Sequence, residues 1–353
     1  MPRIVFVLPV RGGSGGAHSV MQEVDALRSL GVDATVMVNE RNIESFHNNY
    51  SRFEWLEGGV DVFTSPRDLG LKAAGADVVV ATTNTSAHSI AEAIKETKAG
   101  FRTAYYVQDY EPLFYETDSV DYKIALASFS ALPNCTYFAK TQWLCDVVMA
   151  AHGIEVKKVV PSIDHGIYYP SRRSERETRV LCAMVRPPTP RRAPRRTVEF
   201  LTRAASGEFG ALRVMAFGAT PGDMESAGLH LPENVEQGGV MSQLQVASLL
   251  READYFVDLS DYQAFGRTAA EAMACGCTTI APALGGTWDF IKNGVNSFLV
   301  DPSNSDSVFS TLDRMISMSD SEASAMRYAA LEAVAGYTPV RAAISELRAL
   351  GFA

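Results

Sequence analysis

The stretch Ser260 to Gly276, SDYQAFGRTAAEAMACG, follows the apolar run Tyr255 to Leu259 and precedes a second one, Thr278 to Ala281. Short runs rich in β-branched and aromatic residues are typical of buried strands. Phe265-Gly266 predicts a loop, followed by a helix from about Arg267 to the terminal Gly276. Such a strand, loop and helix direct backbone amides into the crevice where α/β sheets bind nucleotides.

The same alternation of strand and helix runs through the rest of the chain. Apolar runs begin near residues 4, 33, 60, 78 and 103, and again near 180, 212, 235, 255, 278 and 297. Strands alternating with helices indicate parallel sheets. We therefore predict an α/β protein with two Rossmann-like, doubly wound domains at 1–163 and 164–335, and a separate helix in 336–353.

Composition sets limits on the function. The chain has 353 residues, a net charge of -9 and five cysteines, without the spacing of a zinc site. An acidic chain is not expected to bind nucleic acid nonspecifically. It has no apolar stretch of roughly 18 to 20 residues, so we expect at most peripheral membrane contact. An odd number of cysteines favours reduced thiols and a cytoplasmic location.

Arginines are concentrated in one short region of this acidic chain: Arg172, Arg173, Arg176, Arg179, Arg186, Arg191, Arg192, Arg195 and Arg196. Either a solvated basic face or a site for a small, highly charged anion is consistent with this clustering.

The stretch around Glu271 resembles the GT-B glycosyltransferases of family 4, which carry an E-x7-E motif between a strand and a helix. Phe265-Gly266, Glu271 to Ala274 and Gly276 stand at the family's spacing, as do Ala283 to Val300 and Asp164 to Ile167. The resemblance covers essentially the whole chain, most strongly its second half. It implies a GT-B fold with an interdomain cleft, an N-terminal acceptor-binding domain, a C-terminal donor-binding domain, and a last helix that crosses back to the first domain.

By this resemblance, Glu271 would bind hydroxyls of the donor's ribose or deoxyribose. Gln263 replaces the first Glu of the motif, which usually contacts the donor sugar; an exposed loop residue is the alternative. Arg186 and Arg191 would hold the diphosphate, with Arg192 beside them, and stabilise it as it leaves, so that no metal is required. The remaining implied donor residues are Gly15, Gly16, Gly218, Phe265, Gly266, Arg267 and Thr268.

The first domain supplies the candidate acceptor residues His18, Gln108, Asp109 and Tyr110. The glycine-rich turn Gly12 to Gly16 departs from a dinucleotide fingerprint at His18, which disfavours a dehydrogenase and leaves an anion site or a plain turn. The aromatic segment 105–115 resembles a motif of bacterial rhamnosyltransferases that build cell-surface polysaccharides, although its aromatic residues would also suit a core. It makes Asp109 the candidate polar or basic group on the acceptor side, and a candidate catalytic residue together with Arg186 and Arg191.

The expected reaction moves a 6-deoxyhexose, such as rhamnose from dTDP-rhamnose, to a hydroxyl of a growing glycan on a lipid or protein carrier. The nucleotide sugar is a substrate, and no further cofactor is expected. Two alternatives stay open: a nucleotide-sugar epimerase on the same fold, and a non-catalytic sugar-nucleotide-binding partner, which Gln263 and Gln108 would favour.

Overall fold

The computed structural model describes residues 1–172 and 178–353, and these residues divide into two compact units. The first unit comprises Met1–Ser162 and Tyr337–Ala353, and the second comprises Ile163–Gly336. Within the described residues, each unit contains one sheet, of seven and six strands respectively, and the paired strands run parallel. The predicted fold class, two parallel-sheet α/β domains, is therefore confirmed.

The sheet of the first unit has the order β3-β2-β1-β4-β5-β6-β7. Its strands are β1 Arg3–Val7, β2 Asp33–Asn39, β3 Val60–Phe63, β4 Val78–Ala81, β5 Arg102–Val107, β6 Thr136–Ala139 and β7 Val156–Lys158. Its helices up to the second unit are α1 Gly15–Ser29, α2 Ile43–Tyr50, α3 Leu56–Gly59, α4 Pro66–Ala73, α5 Asn84–Thr97, α6 Val120–Ala127 and α7 Gln142–His152. The strand order reverses between β1 and β4, and ligands of doubly wound sheets bind outside the carboxyl ends of the strands at such a point.

The sheet of the second unit has the order β10-β9-β8-β11-β12-β13 and reverses between β8 and β11. Its strands are β8 Arg179–Met184, β9 Leu212–Phe217, β10 Val235–Gln237, β11 Tyr255–Val257, β12 Thr278–Pro282 and β13 Phe298–Val300. Its helices are α8 Pro194–Ala204, α9 Pro221–Ser226, α10 Gln243–Glu252, α11 Arg267–Ala274, α12 Ser305–Ser317 and α13 Asp320–Ala335. Short 3-10 helices at Pro190–Arg192 and Gly286–Asp289 flank the candidate donor residues.

Local sequence explains these elements. The central strands are buried on both faces, as in β1, where Ile4 to Val7 are fully buried, and this matches their largely apolar sequences. Hydroxyl side chains begin the helices: Ser14 accepts a hydrogen bond from the backbone of Ala17, and Thr83 forms a capping box with Ser86. Each such cap contributes about 1 kcal/mol to helix stability.

The last helix, α14 Pro339–Ala349, belongs to the first unit, where it packs on α1. Ser345 Oγ accepts a hydrogen bond from the backbone of Val160 at 2.9 Å, and Lys157 Nζ donates to the carbonyl of Ala349 at 2.7 Å. Glu346 is fully buried beside Glu23 of α1. Burial and the charge of Glu23 raise the pKa of Glu346 well above its ordinary range.

Among the described residues, none of the helices has the length and apolar character needed to cross a bilayer. Of the arginine-rich region, Arg173 and Arg176 lie outside the described residues.

Candidate functional site

The carboxyl ends of β8, β9 and β11 bring the predicted donor residues of the second unit to one edge of the sheet. Val257 of β11 pairs with Ala183 of β8, so Arg186 and Asp258 follow neighbouring strand ends. Gly218 directly follows β9, which pairs along the whole of β8. This edge is the switch point of the second sheet, where nucleotides bind in such folds.

Gly266 sets the start of α11. Its φ of +88° lies in the left-handed region, and a Cβ there would lie 2.8 Å from the side chain of Thr287. Only glycine fits without strain. Phe265, before it, packs against Phe290 with ring centroids 5.4 Å apart, while Arg267 and Thr268 open the helix and remain partly exposed. These contacts hold the loop in place, with the first backbone amides of α11 at the edge of the sheet.

Glu271, one turn into α11, is a buried carboxylate. Only 4% of the residue is exposed, and its Oε1 lies 3.1 Å from Nη1 of Arg267. Burial raises the pKa of Glu271 to about 7, although Arg267 and Tyr168 both favour the ionised form. Glu271 is thus held in place, and near neutral pH both its protonated and its ionised forms are present.

Gln263 is only 3% exposed, so the alternative of an exposed loop residue is wrong. Its Nε2 donates to Oδ2 of Asp258 at 2.5 Å and to Oγ of Ser260 at 3.1 Å. Its backbone pairs with the segment around Gly285. Sequence reasoning did not include Asp258 in the site; its position directly after β11, five residues before Gln263, was the available signal.

The two arginines predicted to bind the diphosphate, Arg186 and Arg191, contact different parts of the second unit. Arg186 is exposed and lies beside Gly218, where an added Cβ would be 3.5 Å from Cδ of Arg186 and 2.8 Å from Cγ of Met184. The guanidinium of Arg191 lies over the ring of Tyr262, 5.3 Å from its centroid. The backbone carbonyl of Arg191 accepts a hydrogen bond from Asp261 at 2.8 Å, which ties it to the loop that carries Gln263.

The other arginines of the region are largely engaged by protein groups. Arg192 Nη1 lies 3.6 Å from Oδ2 of Asp258, and Arg196 bonds Oδ1 of Asp261 at 3.0 Å. Arg195 donates to the carbonyl of Ala227. Arg192 is therefore a direct neighbour of the Gln263 network, whereas Arg195 and Arg196 stabilise the surrounding fold.

In the first unit, Gly15 and Gly16 begin α1 after the capping residue Ser14. Left-handed φ values occur earlier in the turn, at Gly12 and Gly13. A Cβ on Gly16 would lie 2.9 Å from Oε1 of Gln108, so this glycine permits the close approach of Gln108. The turn is fixed by Tyr50, whose hydroxyl accepts a hydrogen bond from the backbone of Gly13 and whose ring is met edge-on by His18.

The acceptor candidates follow β5 at the carboxyl edge of the first sheet. Gln108 Oε1 is buried and has no hydrogen-bond partner among the described residues. Buried polar atoms without partners are rare, and they often mark a ligand site. Asp109 is half-buried, and its Oδ1 accepts a hydrogen bond from the backbone of Tyr110 at 2.9 Å. Tyr110 is 7% exposed, and its hydroxyl is paired with Nε2 of His152 at 3.1 Å.

Glu111 directly follows the acceptor candidates in the chain and was not included among them. Its carboxylate accepts hydrogen bonds from the backbone and the side chain of Asn84, at the first turn of α5. Burial raises the pKa of Glu111 to about 7, and the nearby charge of Asp109 adds to this rise. Within the part of the chain that the structure describes, no group of three His, Cys, Asp or Glu side chains is arranged to hold a metal ion.

Residues 223–332, which include Gln263 and Glu271, match the sequence family described as glycosyl transferases group 1. The chain is 28% identical over 255 residues to the O-antigen biosynthesis protein RfbC of Myxococcus xanthus. That match covers 70% of this chain but only 19% of RfbC.

Two solved structures have a similar fold. Anabaena HepE in complex with UDP and glucose gives a TM-score of 0.78 at 16% identity and covers 99% of both chains. Sucrose-phosphate synthase from Thermosynechococcus elongatus gives a TM-score of 0.78 at 14% identity, over 99% of this chain and 98% of that one. These similarities establish the GT-B fold of the chain.

Proposed function

We propose that this chain, whose second unit carries the sequence signature of group 1 glycosyl transferases, transfers a sugar from a nucleoside diphosphate to a hydroxyl of a growing glycan. The observation that carries the proposal is the buried carboxylate of Glu271, paired with the partly exposed Arg267 at the N-terminal turn of α11, on the carboxyl edge of the second sheet. A buried carboxylate is costly to maintain, and its pairing with an arginine is weak evidence for stability alone. A role in ligand binding explains its presence.

On the donor side, the carboxylate of Glu271 accepts hydrogen bonds from hydroxyls of the nucleotide's pentose. Arg186 and Arg191 bind the diphosphate, because guanidinium groups stay charged and pair with phosphate oxygens. Gly218 lets the chain approach this group, and the amides of Gly266 and Arg267 at the start of α11 add hydrogen-bond donors.

The leaving diphosphate gains negative charge as its bond to the sugar breaks. Fixed cations that face this developing charge stabilise the transition state. Arg186 and Arg191 supply such cations, so the proposed reaction needs no metal ion.

On the acceptor side, Asp109 is the proposed general base for the attacking hydroxyl. Its Oδ1 is oriented by the backbone of Tyr110, and the buried Oε1 of Gln108 offers a neutral acceptor next to it in sequence. His18 completes the proposed acceptor group, at the glycine-rich turn that abuts Gln108.

The proposed donor is a 6-deoxyhexose nucleotide such as dTDP-rhamnose, and the proposed acceptor is a glycan on a lipid or protein carrier. The resemblance of the segment 105–115 to rhamnosyltransferases and the similarity to a protein named for O-antigen biosynthesis support this choice. The proposed location is the cytoplasm, which the five free cysteine thiols favour; the proposed membrane contact is at most peripheral.

The test is to titrate Glu271→Ala and Gln263→Ala, beside the wild type, with dTDP and with dTDP-rhamnose. Glu271→Ala should weaken both ligands alike, because the pentose is common to them. Gln263→Ala should spare dTDP while lowering turnover, because its side chain faces the sugar. Equal losses for both ligands in Gln263→Ala, or none in Glu271→Ala, would contradict the proposed donor site.

A further inference from the structure

The carboxylate of Asp258, directly after β11, lies at the centre of a closed hydrogen-bond network. Its Oδ1 accepts from the backbone of Ser260 at 3.0 Å and from Oγ of the same residue at 2.5 Å. Its Oδ2 lies 3.6 Å from Nη1 of Arg192 and accepts from Nε2 of Gln263 at 2.5 Å. The side chain is only 9% exposed, so these contacts are formed largely out of water and are stronger for it.

The amide nitrogen of Gln263 has no hydrogen left for a ligand. A carboxamide nitrogen carries two hydrogens, and those of Gln263 go to Asp258 Oδ2 and to Ser260 Oγ, at 2.5 and 3.1 Å. The reversed amide would place its carbonyl oxygen against the carboxylate of Asp258, two acceptors with no proton between them. The orientation of Gln263 is therefore set by the charge of Asp258.

The backbone of Gln263 is clamped as well. Its N–H donates to the carbonyl of Leu284 at 3.2 Å, and its carbonyl accepts from the N–H of Gly286 at 2.7 Å. Gly285 between them has a φ of +116°, and a Cβ there would lie 2.0 Å from the carbonyl oxygen of Gln263. With backbone and amide nitrogen both held, Oε1 is the polar atom of Gln263 that can serve a ligand.

We infer that Asp258 is a positioning residue that turns Gln263 into a hydrogen-bond acceptor only, whose Oε1 receives a hydroxyl of the donor sugar. The inference deepens the proposed function and rests on it. It also accounts for the departure from the E-x7-E motif, because a Glu at 263 would bring a second carboxylate against Asp258. Glutamine keeps an oxygen that accepts a hydrogen bond and removes the repulsion between two carboxylates. The negative charge stays on Asp258, which is paired with Arg192.

The first experiment uses stability and needs no ligand. We compare the Tm of the wild type, Gln263→Glu, Asp258→Asn and the double variant Asp258→Asn/Gln263→Glu at pH 8, with the exposed Gln237→Glu as a control for added charge. Gln263→Glu should lower Tm by about 4 °C or more. The double variant should recover most of this loss, because the amide introduced by Asp258→Asn can donate to the new carboxylate, and the control should match the wild type.

The second experiment compares the Kd for dTDP with that for dTDP-rhamnose in the same proteins. The preference for the sugar nucleotide should fall about fivefold in Gln263→Glu and in Asp258→Asn, as expected for one lost hydrogen bond. It should return in the double variant. The affinity for dTDP itself should stay constant throughout.

The outcomes separate the two proposals. Two results would refute the interaction between Asp258 and Gln263: additive effects of the single changes on Tm, or a decrease of Tm in Gln263→Glu no larger than in the control. An unchanged preference in Asp258→Asn would refute its role in positioning Gln263 toward the sugar. A wild type that binds neither dTDP nor dTDP-rhamnose would instead refute the proposed function. The comparison of Tm among the single and double variants would still show whether Asp258 and Gln263 interact.

Discussion

Replacing Glu271 by Gln removes one titrating group from the proposed donor site while keeping the shape of the side chain. The side-chain oxygen of Gln can still accept from Arg267, which lies 3.1 Å from the native carboxylate. In the native protein, burial raises the pKa of Glu271 from its ordinary 4.5 to about 7. The variant therefore isolates the free energy of ionising a carboxylate at this position.

The direction of the effect follows from proton binding. Between pH 4.5 and about 7 the folded protein keeps a proton on Glu271 that the unfolded chain has released. The unfolding free energy contributed by Glu271 is therefore fully present below pH 4.5 and is lost as pH rises through 7. A pKa raised from 4.5 to about 7 corresponds to roughly 3 kcal/mol.

The assay is urea unfolding of the wild type and Glu271→Gln at pH values from 4.5 to 8. The unfolding free energy of the variant, relative to the wild type, should rise with pH by up to roughly 3 kcal/mol and level off above neutrality. Glu332→Gln, an exposed change on α13 of the same unit, is the matched control and should give a flat difference. A flat difference for Glu271→Gln as well would refute the reasoning.

The same variant links stability to binding. In the proposed donor site only ionised Glu271 offers a full carboxylate to pentose hydroxyls, so the affinity of the wild type for dTDP should increase as pH rises through about 7. Glu271→Gln should bind dTDP more weakly, and its affinity should lack this increase. The phosphate groups of dTDP titrate equally in both experiments, so the difference between the two proteins reports on Glu271.

The remaining predictions concern diphosphate binding, metal independence and the backbone contacts between Gln263 and the segment around Gly285. Arg191→Ala should weaken dTDP binding by about 1.5 to 3 kcal/mol in calorimetry, the usual value of a charge-assisted hydrogen bond, and Arg195→Ala should not; equal affinities would remove Arg191 from the site. Activity should survive EDTA, and an enzyme that stops and then restarts with magnesium or manganese would disprove metal independence. Gly285→Ala should lower the unfolding free energy by on the order of 3 kcal/mol, because its Cβ would meet the carbonyl oxygen of Gln263. Gly100→Ala, with open space around its Cβ, is the control. Equal stability of the two variants would disprove the close backbone contact between Gly285 and Gln263.

The fold was predictable because its signals are local. Most of the buried parallel strands are nearly continuous apolar runs, although no run was named for β6 and β7. Hydroxyl residues such as Ser14 and Thr83 mark helix starts. The start of α11 was also predictable, since Gly266 is required by a left-handed backbone. Such features depend on neighbours in sequence rather than on tertiary contacts.

The partners of polar side chains were not predictable, because they join distant parts of the chain. Arg192 meets Asp258, and Glu111 meets Asn84, through the folding of separate strand ends onto one sheet edge. A single sequence gives the spacing of Gln263 and Glu271 but not the direction of the Gln263 amide.

The aromatic segment 105–115 shows the same limit. Sequence left open whether its rings line a sugar site or form a core. Tyr105 and Tyr106 are almost completely buried and stack on Phe129 and Phe138. Leu113, Phe114 and Tyr115 are instead exposed. The burial of β5 on both faces accounts for the first pair, and the short 3-10 turn that follows accounts for the second group.

The measurement that tests the central claim most directly follows the fate of a labelled sugar. The wild type and Glu271→Ala are incubated with dTDP-rhamnose, with and without a synthetic rhamnose-terminated acceptor, and both the released dTDP and the extended acceptor are quantified. We expect equal amounts of dTDP and product, formed only when acceptor is present and greatly reduced in Glu271→Ala. Conversion of the sugar nucleotide without acceptor, or tight binding with no product across a panel of donors and acceptors, would contradict glycosyl transfer as the function of this chain.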